Sequence, residues 1–143
     1  MVKETIRTQY AALPYRVSGG KLELLLITSR ETKRWILPKG WEERKIKPRD
    51  MAALEAYEEA GVRGKVKKRE LGSYLYEKRL DSGDSVTCKV HVFPLEVMEE
   101  LDDWPEKAER TRCWMSPAQA AMLISEGGLV SILLNLGMPD RHS

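Results

Sequence analysis

The amino-acid sequence predicts a mixed α/β fold in which a β-sheet is covered by helices. Three observations carry that expectation. Leu22 to Thr28 is a nearly continuous apolar run, which reads as a central strand. Val86 to Val97 alternates at first, with Cys88, Val90 and Val92 on one side and Lys89, His91 and Phe93 on the other. A helical stretch, Pro48 to Ala60, lies between them, so the order is strands, helix, strands, helices rather than a repeating βαβ array.

Taken in order, Gln9 to Val17 reads as a strand, and Pro14 within it marks an edge or a bulge, because proline has no N–H for a ladder. Ser18-Gly19-Gly20 is a turn across which the first two strands can form a hairpin. Trp35-Ile36-Leu37 is a short apolar segment ended by Pro38, and Gly40 to Lys47 has no period and reads as a loop. Pro48 suits a first helical position, and Gly61 supplies the left-handed residue that ends the helix, with Val62 as the apolar residue behind it. Arg63 to Tyr76 is extended chain with a basic start, Ser82-Gly83-Asp84 a turn, Leu101 to Glu109 an acidic loop, and Thr111 to Met115 a short strand. Ser116-Pro117 opens a helix running to about Ser125, and Leu129 to Leu136 is a last short helix.

A chain of 143 residues, 42% apolar and 32% charged, is one domain's worth with enough apolar surface for a core, which excludes a disordered chain. The longest uncharged stretches, Cys113 to Ser125 and Gly127 to Pro139, fall short of the about 20 apolar residues that cross a bilayer. Met1-Val2-Lys3-Glu4-Thr5 contains no apolar h-region, so a cytoplasmic protein without a secretory signal is expected. The net charge of +2 says little, but its distribution says more. Residues 33–49 carry seven basic side chains against two acidic ones, whereas residues 99–110 carry six acidic against two basic. Two cysteines, Cys88 and Cys113, make neither a disulfide framework nor a zinc set and read as buried or half-buried thiols.

The informative segment is the Pro48–Ala60 helix. Glu55, Glu58 and Glu59 stand at i, i+3, i+4, which places three carboxylates on one face, while Ala53, Ala56, Tyr57 and Ala60 form the face that packs on the sheet. Like charges so close repel one another. Such a cluster either lies in water or holds a cation, and all-oxygen donors suit a hard divalent ion such as magnesium or manganese.

Gly40, Glu55, Ala56, Glu58, Glu59, Gly61 and Val62 stand in the register of the Nudix box, a pattern covering residues 40–62, and the chain resembles the Nudix hydrolase family. The lead-in Arg34-Trp35-Ile36-Leu37-Pro38-Lys39-Gly40, together with Glu58-Glu59-Ala60-Gly61-Val62, is similar to its diphosphoinositol polyphosphate phosphohydrolase branch. The resemblance implies a single α/β/α sandwich with a mixed sheet between helices, a Nudix domain over residues 8–136 and a C-terminal tail over 137–143. It implies a metal-dependent pyrophosphohydrolase in which Glu55, Glu58, Glu59 and the Gly40 carbonyl ligate Mg2+ or Mn2+. Glu58 or Glu55 would then take the proton of the attacking water, and an acid from a distant loop, Glu106 or Glu109, would assist. Arg30, Arg34 and Lys39 are placed to meet phosphates, arginine as a bidentate fork and lysine as a point charge. The basic stretch favours a small polyphosphorylated substrate, a diadenosine polyphosphate or a diphosphoinositol polyphosphate. Arg44, Lys45 and Lys47 are assigned no phosphate role.

Two positions depart from the pattern. Ile46 stands where the box has its first glutamate and Leu54 where it has its arginine. An ion pair to Glu58 is thereby lost, and an apolar contact of Ile46 against Leu54 is the expected replacement. These departures sustain a second reading, a Nudix-fold module that binds a polyphosphate without cleaving it. A third, an RNA 5′-end pyrophosphohydrolase, is disfavoured by the small net charge and by the lack of aromatic–basic interleaving. His91 and Trp35 read as structural, and Trp104 and Trp114 as lining the cleft or anchoring the acidic loop.

Overall fold

A computed structural model describes residues 5–136; the tail expected over 137–143 and the first residues of the N-terminus lie outside them. The described residues form eight strands and three α-helices: β1 (Ile6–Ser18), β2 (Lys21–Thr28), β3 (Trp35–Ile36), β4 (Lys39–Trp41), α1 (Pro48–Glu55), β5 (Val62–Val66), β6 (Gly72–Arg79), β7 (Ser85–Glu100), β8 (Arg112–Met115), α2 (Pro117–Leu123) and α3 (Gly127–Leu136). A π-helical turn, Ala56–Ala60, continues α1 up to Gly61, which takes the left-handed conformation at φ 66°. Among the described residues no helix is long and apolar enough to cross a membrane.

The strands make one mixed sheet of order β3-β2-β1-β7-β5, with β4 added to β1, β6 to β7 and β8 to β2. β1 and β7 run parallel over ten residue pairs, Ile6↔Thr87 to Tyr15↔Glu96, and every other pairing is antiparallel. The long strands fork. β1 pairs with β4 through Gln9 to Ala11 and with β2 from Tyr15 onward. Pro14 therefore lies in the most central strand, not at an edge. Ala12 donates its N–H to the Pro38 carbonyl at 3.0 Å, and Pro14, two residues on, turns its nitrogen to that same side, into the gap between β4 and β2, where no ladder bond is missed. The loop expected from Gly40 likewise opens inside β4, because Tyr10 and Ala11 offer it a backbone edge.

Alternation along the central strands feeds two cores. Leu24, Leu26, Ala11, Leu13, Val90 and Val92 face α2 and α3, where Ala120, Ile124, Leu129 and Leu133 close the layer. Leu25, Ile27, Ala12, Phe93 and Leu95 face α1, which contributes Met51, Ala52, Ala56 and Ala60. Both faces of β2 are thus buried, which explains its unbroken apolar run, and each wholly buried leucine stabilises the fold by about 1.5–3 kcal/mol. Small alanines let α1 sit close to β1, β5 and β7. Met51 and Ala52 take the place expected for Ala53 and Tyr57, which are only half-buried. Ser116 caps α2 as read, accepting from Gln119 N at 3.1 Å while Gln119 Oε1 accepts from Ser116 N at 3.0 Å. Cys88 is buried as expected, but Cys113 is exposed.

Candidate active site

An α-helix leaves its last four carbonyls without intrahelical partners. At the end of α1 these belong to Glu58, Glu59, Ala60 and Gly61, and the acidic loop with the start of β8 satisfies all of them. Glu106 N–H donates to Glu58 O at 3.0 Å, and Leu101 N–H to Gly61 O at 2.8 Å. Trp104 Nε1 donates to Glu59 O at 3.3 Å. Arg112 donates to Ala60 O at 3.0 Å, Gly61 O at 3.1 Å and Leu101 O at 2.8 Å. Its guanidinium lies 4.0 Å from the centroid of the Trp104 ring. A side chain on Gly61 would overlap that ring, so this position needs glycine both for its positive φ and for space. Trp104 is therefore the anchor of the loop.

Fixed in this way, the helix end brings Glu55 and Glu59 together beside β4. Both are buried, at 8% and 7% exposure. Their side chains are hydrogen-bonded to each other. Glu55 lies against the α-carbon of Gly40, where a Cβ would run into its carboxylate, and Lys39 N–H donates to Glu59 Oε1 at 3.3 Å. Burial first, then the bond to Glu59 and the charges of Glu59, Glu58 and Glu106, push the Glu55 carboxyl up to about 9. Burial also raises Glu59, while its bond to Glu55 and the cations Arg110 and Lys39 pull it back. Near neutral pH Glu55 keeps its proton, because two adjacent carboxylates out of water do not both ionise readily.

Of the three expected ligands, the structure sets Glu55 and Glu59 side by side. Among the described residues no three acidic, histidine or cysteine side chains come together closely enough to hold one metal ion. Glu58 and Glu59 both stand on the π-helical turn, Ala56–Ala60. Glu58 is half-buried and its charge still reaches Glu55. The donor chemistry fits a hard divalent cation all the same: oxygen donors only, buried, and sharing a proton that a cation would displace.

Of the basic residues expected at phosphates, Lys39 touches this centre through its backbone N–H. Burial lowers its ammonium below the usual lysine range, Glu59 and Glu126 oppose that shift, and Nζ lies 5.2 Å from the centroid of the Tyr76 ring. Arg30 and Arg34 stand on the exposed 29–34 loop, where Arg30 meets Glu109 at 3.6 Å and Arg34 Nε donates to Thr32 Oγ1 at 3.1 Å. Glu109 is thereby committed to Arg30, whereas Glu106 reaches the carboxylate pair. Arg44, Lys45 and Lys47 are exposed on the wall of an open cavity of about 510 Å³ at the start of α1. Leu54 is 37% exposed, so Ile46, which packs on the α1 core, and Leu54 do not build a buried layer in place of the lost ion pair. His91 Nδ1 lies 2.8 Å from Glu70 Oε2, and its ring tilts against Tyr10.

Sequence reasoning missed Arg110. Its side chain is 6% exposed, and its terminal nitrogen NH2 lies 2.9 Å from Glu106 Oε1 and 3.7 Å from Glu59 Oε1. The i, i+4 spacing of Glu106 and Arg110 was the available signal.

No family model matches the chain. It is 36% identical over 107 residues to "Nudix hydrolase 12, mitochondrial" of Arabidopsis thaliana, covering 72% of this chain and 52% of that protein. It is 34% identical over 123 residues to "Diphosphoinositol polyphosphate phosphohydrolase 3-alpha" of Mus musculus, covering 85% of this chain and 71% of that one. The chain thus spans about half the length of the Arabidopsis relative. A C. elegans Ap4A hydrolase binary complex superposes with a TM-score of 0.68 at 19% identity, over 91% of this chain and 94% of that one, a likeness of fold.

Proposed function

The chain belongs to the Nudix hydrolase family, and from that premise we propose that it is a metal-dependent pyrophosphohydrolase, with residues 8–136 as its catalytic unit. The bond cleaved is a phosphoanhydride in a nucleoside diphosphate-linked or polyphosphorylated small molecule. The observation that carries this reading is the buried Glu55–Glu59 pair against Gly40. Two carboxylates removed from water and forced to share a proton are a poor structural device, since packed apolar groups serve stability as well or better. They are a good one for a cation. Glu55, Glu58 and Glu59, with the Gly40 carbonyl, are the residues that would hold magnesium or manganese, which when bound offsets phosphate charge and acidifies a water.

The chain's own residues do the rest. Glu58 is the proton acceptor in this proposal, because Glu55 and Glu59 are engaged with each other. Lys39 meets a phosphate from the floor, and Arg30 and Arg34 meet the more distant phosphates from the exposed loop. The basic 33–49 stretch supports a substrate with many phosphates. So do the activities in the names of the mouse and nematode proteins, so a diphosphoinositol polyphosphate or a diadenosine polyphosphate is the favoured substrate.

A hydrolysis screen tests this. Diadenosine polyphosphates, a diphosphoinositol polyphosphate, nucleoside diphosphate sugars and triphosphorylated RNA are each incubated with Mg2+, with Mn2+ and without metal. Release from the first two classes in the presence of metal is expected. Binding without turnover across the panel would assign the non-catalytic module instead. Cleavage of RNA alone, with affinity falling steeply as salt rises, would assign the RNA-end activity.

A further inference from the structure

The box arginine is missing at Leu54, yet the carboxylates of α1 are not without a guanidinium. We propose that Arg110 is a positioning residue for Glu59 and Glu106, supplied from the acidic loop in place of the arginine that the helix lacks, so that this loop is an obligatory part of the site. The proposal rests on the hydrolase reading of the same carboxylates.

A buried guanidinium is costly unless its donors are used and its charge is met. Arg110 uses them on three elements at once. Nε and NH2 each reach Glu106 Oε1 at 2.9 Å, NH2 faces Glu59 Oε1 at 3.7 Å, and NH1 donates to Thr28 O at 3.1 Å at the end of β2. The backbone beside it is clamped to the same residue. Thr28 N–H donates to Thr111 O at 3.0 Å, and Thr111 N–H to Thr28 Oγ1 at 2.9 Å. Glu106 closes the circuit, its N–H on the Glu58 carbonyl at 3.0 Å. An arginine stays charged at every working pH, and its planar fork fixes direction in a way an ammonium does not. Arg110 therefore ties Glu106 of the loop to Glu59 of the helix and to the end of β2, which fixes the direction of both carboxylates. Leu54, exposed one turn before Glu58, has no means of doing so.

The test uses Arg110→Lys and Arg110→Ala, with Glu106→Gln as the variant least disturbing to folding. In metal-free protein, hydrogen exchange at the Glu106 and Leu101 amides is expected to speed by at least about tenfold in Arg110→Lys, with the β1 and β7 amides unchanged. With metal and substrate, kcat of Arg110→Lys is expected to fall at least about thirtyfold, with KM within about threefold and the melting temperature nearly unchanged. Added guanidinium at low concentration is expected to restore part of the kcat of Arg110→Ala. A rise in KM alone would make Arg110 a substrate contact and overturn the proposal. Unchanged loop exchange, or a kcat loss matching the loss of folded protein, would also overturn it. If the wild-type chain hydrolyses nothing, the hydrolase reading fails, while the exchange experiment still decides for or against Arg110 as the link between loop and helix.

Discussion

Around the end of α1, the buried side chains of Glu55, Glu59 and Arg110 cluster with the half-buried Glu106. Along the β5–β7 pairing Arg63 meets Glu99 at 4.0 Å, both side chains more than half exposed, and Lys67 meets Glu96 at 3.7 Å, both partly exposed. The residue types are the same and the consequences differ. Exposed pairs gain little, about 0–1 kcal/mol each, because water and salt screen them. Buried groups are desolvated, so their protons move and their directions are fixed, and a fixed carboxylate with a displaced proton is what phosphate chemistry can use. Charge count identifies neither set; depth does.

The comparison breaks most readily at Glu59. Glu59→Gln is expected to leave the fold intact and lower turnover at least about a hundredfold, as loss of an electrostatic catalytic group does. Activity within about threefold of wild type would remove the pair from the chemistry. Next in size is Gly40→Ala. Its Cβ would collide with the Glu55 carboxylate, and overpacking of this kind costs about 1–3 kcal/mol, readable in urea denaturation together with a loss of turnover. A third measurement sharpens the contrast through pH. Glu55 titrates near 9 in the folded state and near the ordinary carboxylate value when unfolded, so the folded state binds the extra proton. The metal-free protein is therefore expected to lose stability steadily from about pH 5 to pH 9, and magnesium to flatten that slope. A metal-free stability that rises over this range would contradict a proton held between Glu55 and Glu59. The smallest effects belong to the surface. Leu54→Arg adds an i, i+4 partner for Glu58 worth about 0.3–0.5 kcal/mol and is expected to be tolerated, with turnover equal to or modestly above wild type. Lys67→Ala serves as its neutral control in the same melts.

What the sequence disclosed and what it withheld divide along a physical line. Pro48 and Gly61 bound the helix, Ser116 caps the next one, and the apolar run of β2 announces burial on both faces; each is a local signal, written within a few residues. The Nudix register likewise put Glu55, Glu59 and Gly40 in one place. The π turn was not legible, because the same Glu-x-x-Glu-Glu spacing suits either winding. Nor was the parallel pairing of β1 with β7, which joins residues about eighty positions apart. Arg110 and Arg112 were hidden for another reason. They sit at the end of a run that reads as acidic, and a sum of charges says nothing of a guanidinium folded inward against carbonyls and carboxylates.

That parallel pairing also has a temporal meaning. β1 precedes the other strands of the sheet and forms its middle, yet its longest partner is not synthesised until some eighty residues have followed. Until then one of its edges and much of its apolar surface have only β2 and β4 to rely on. Assembly must wait on a contact between distant segments, which places this chain among the slower folders of its size, on a scale of about milliseconds to seconds. The nascent chain accordingly passes through a window in which open strand edges invite association with other copies, and helpers that shield such edges would have their greatest effect before β7 arrives.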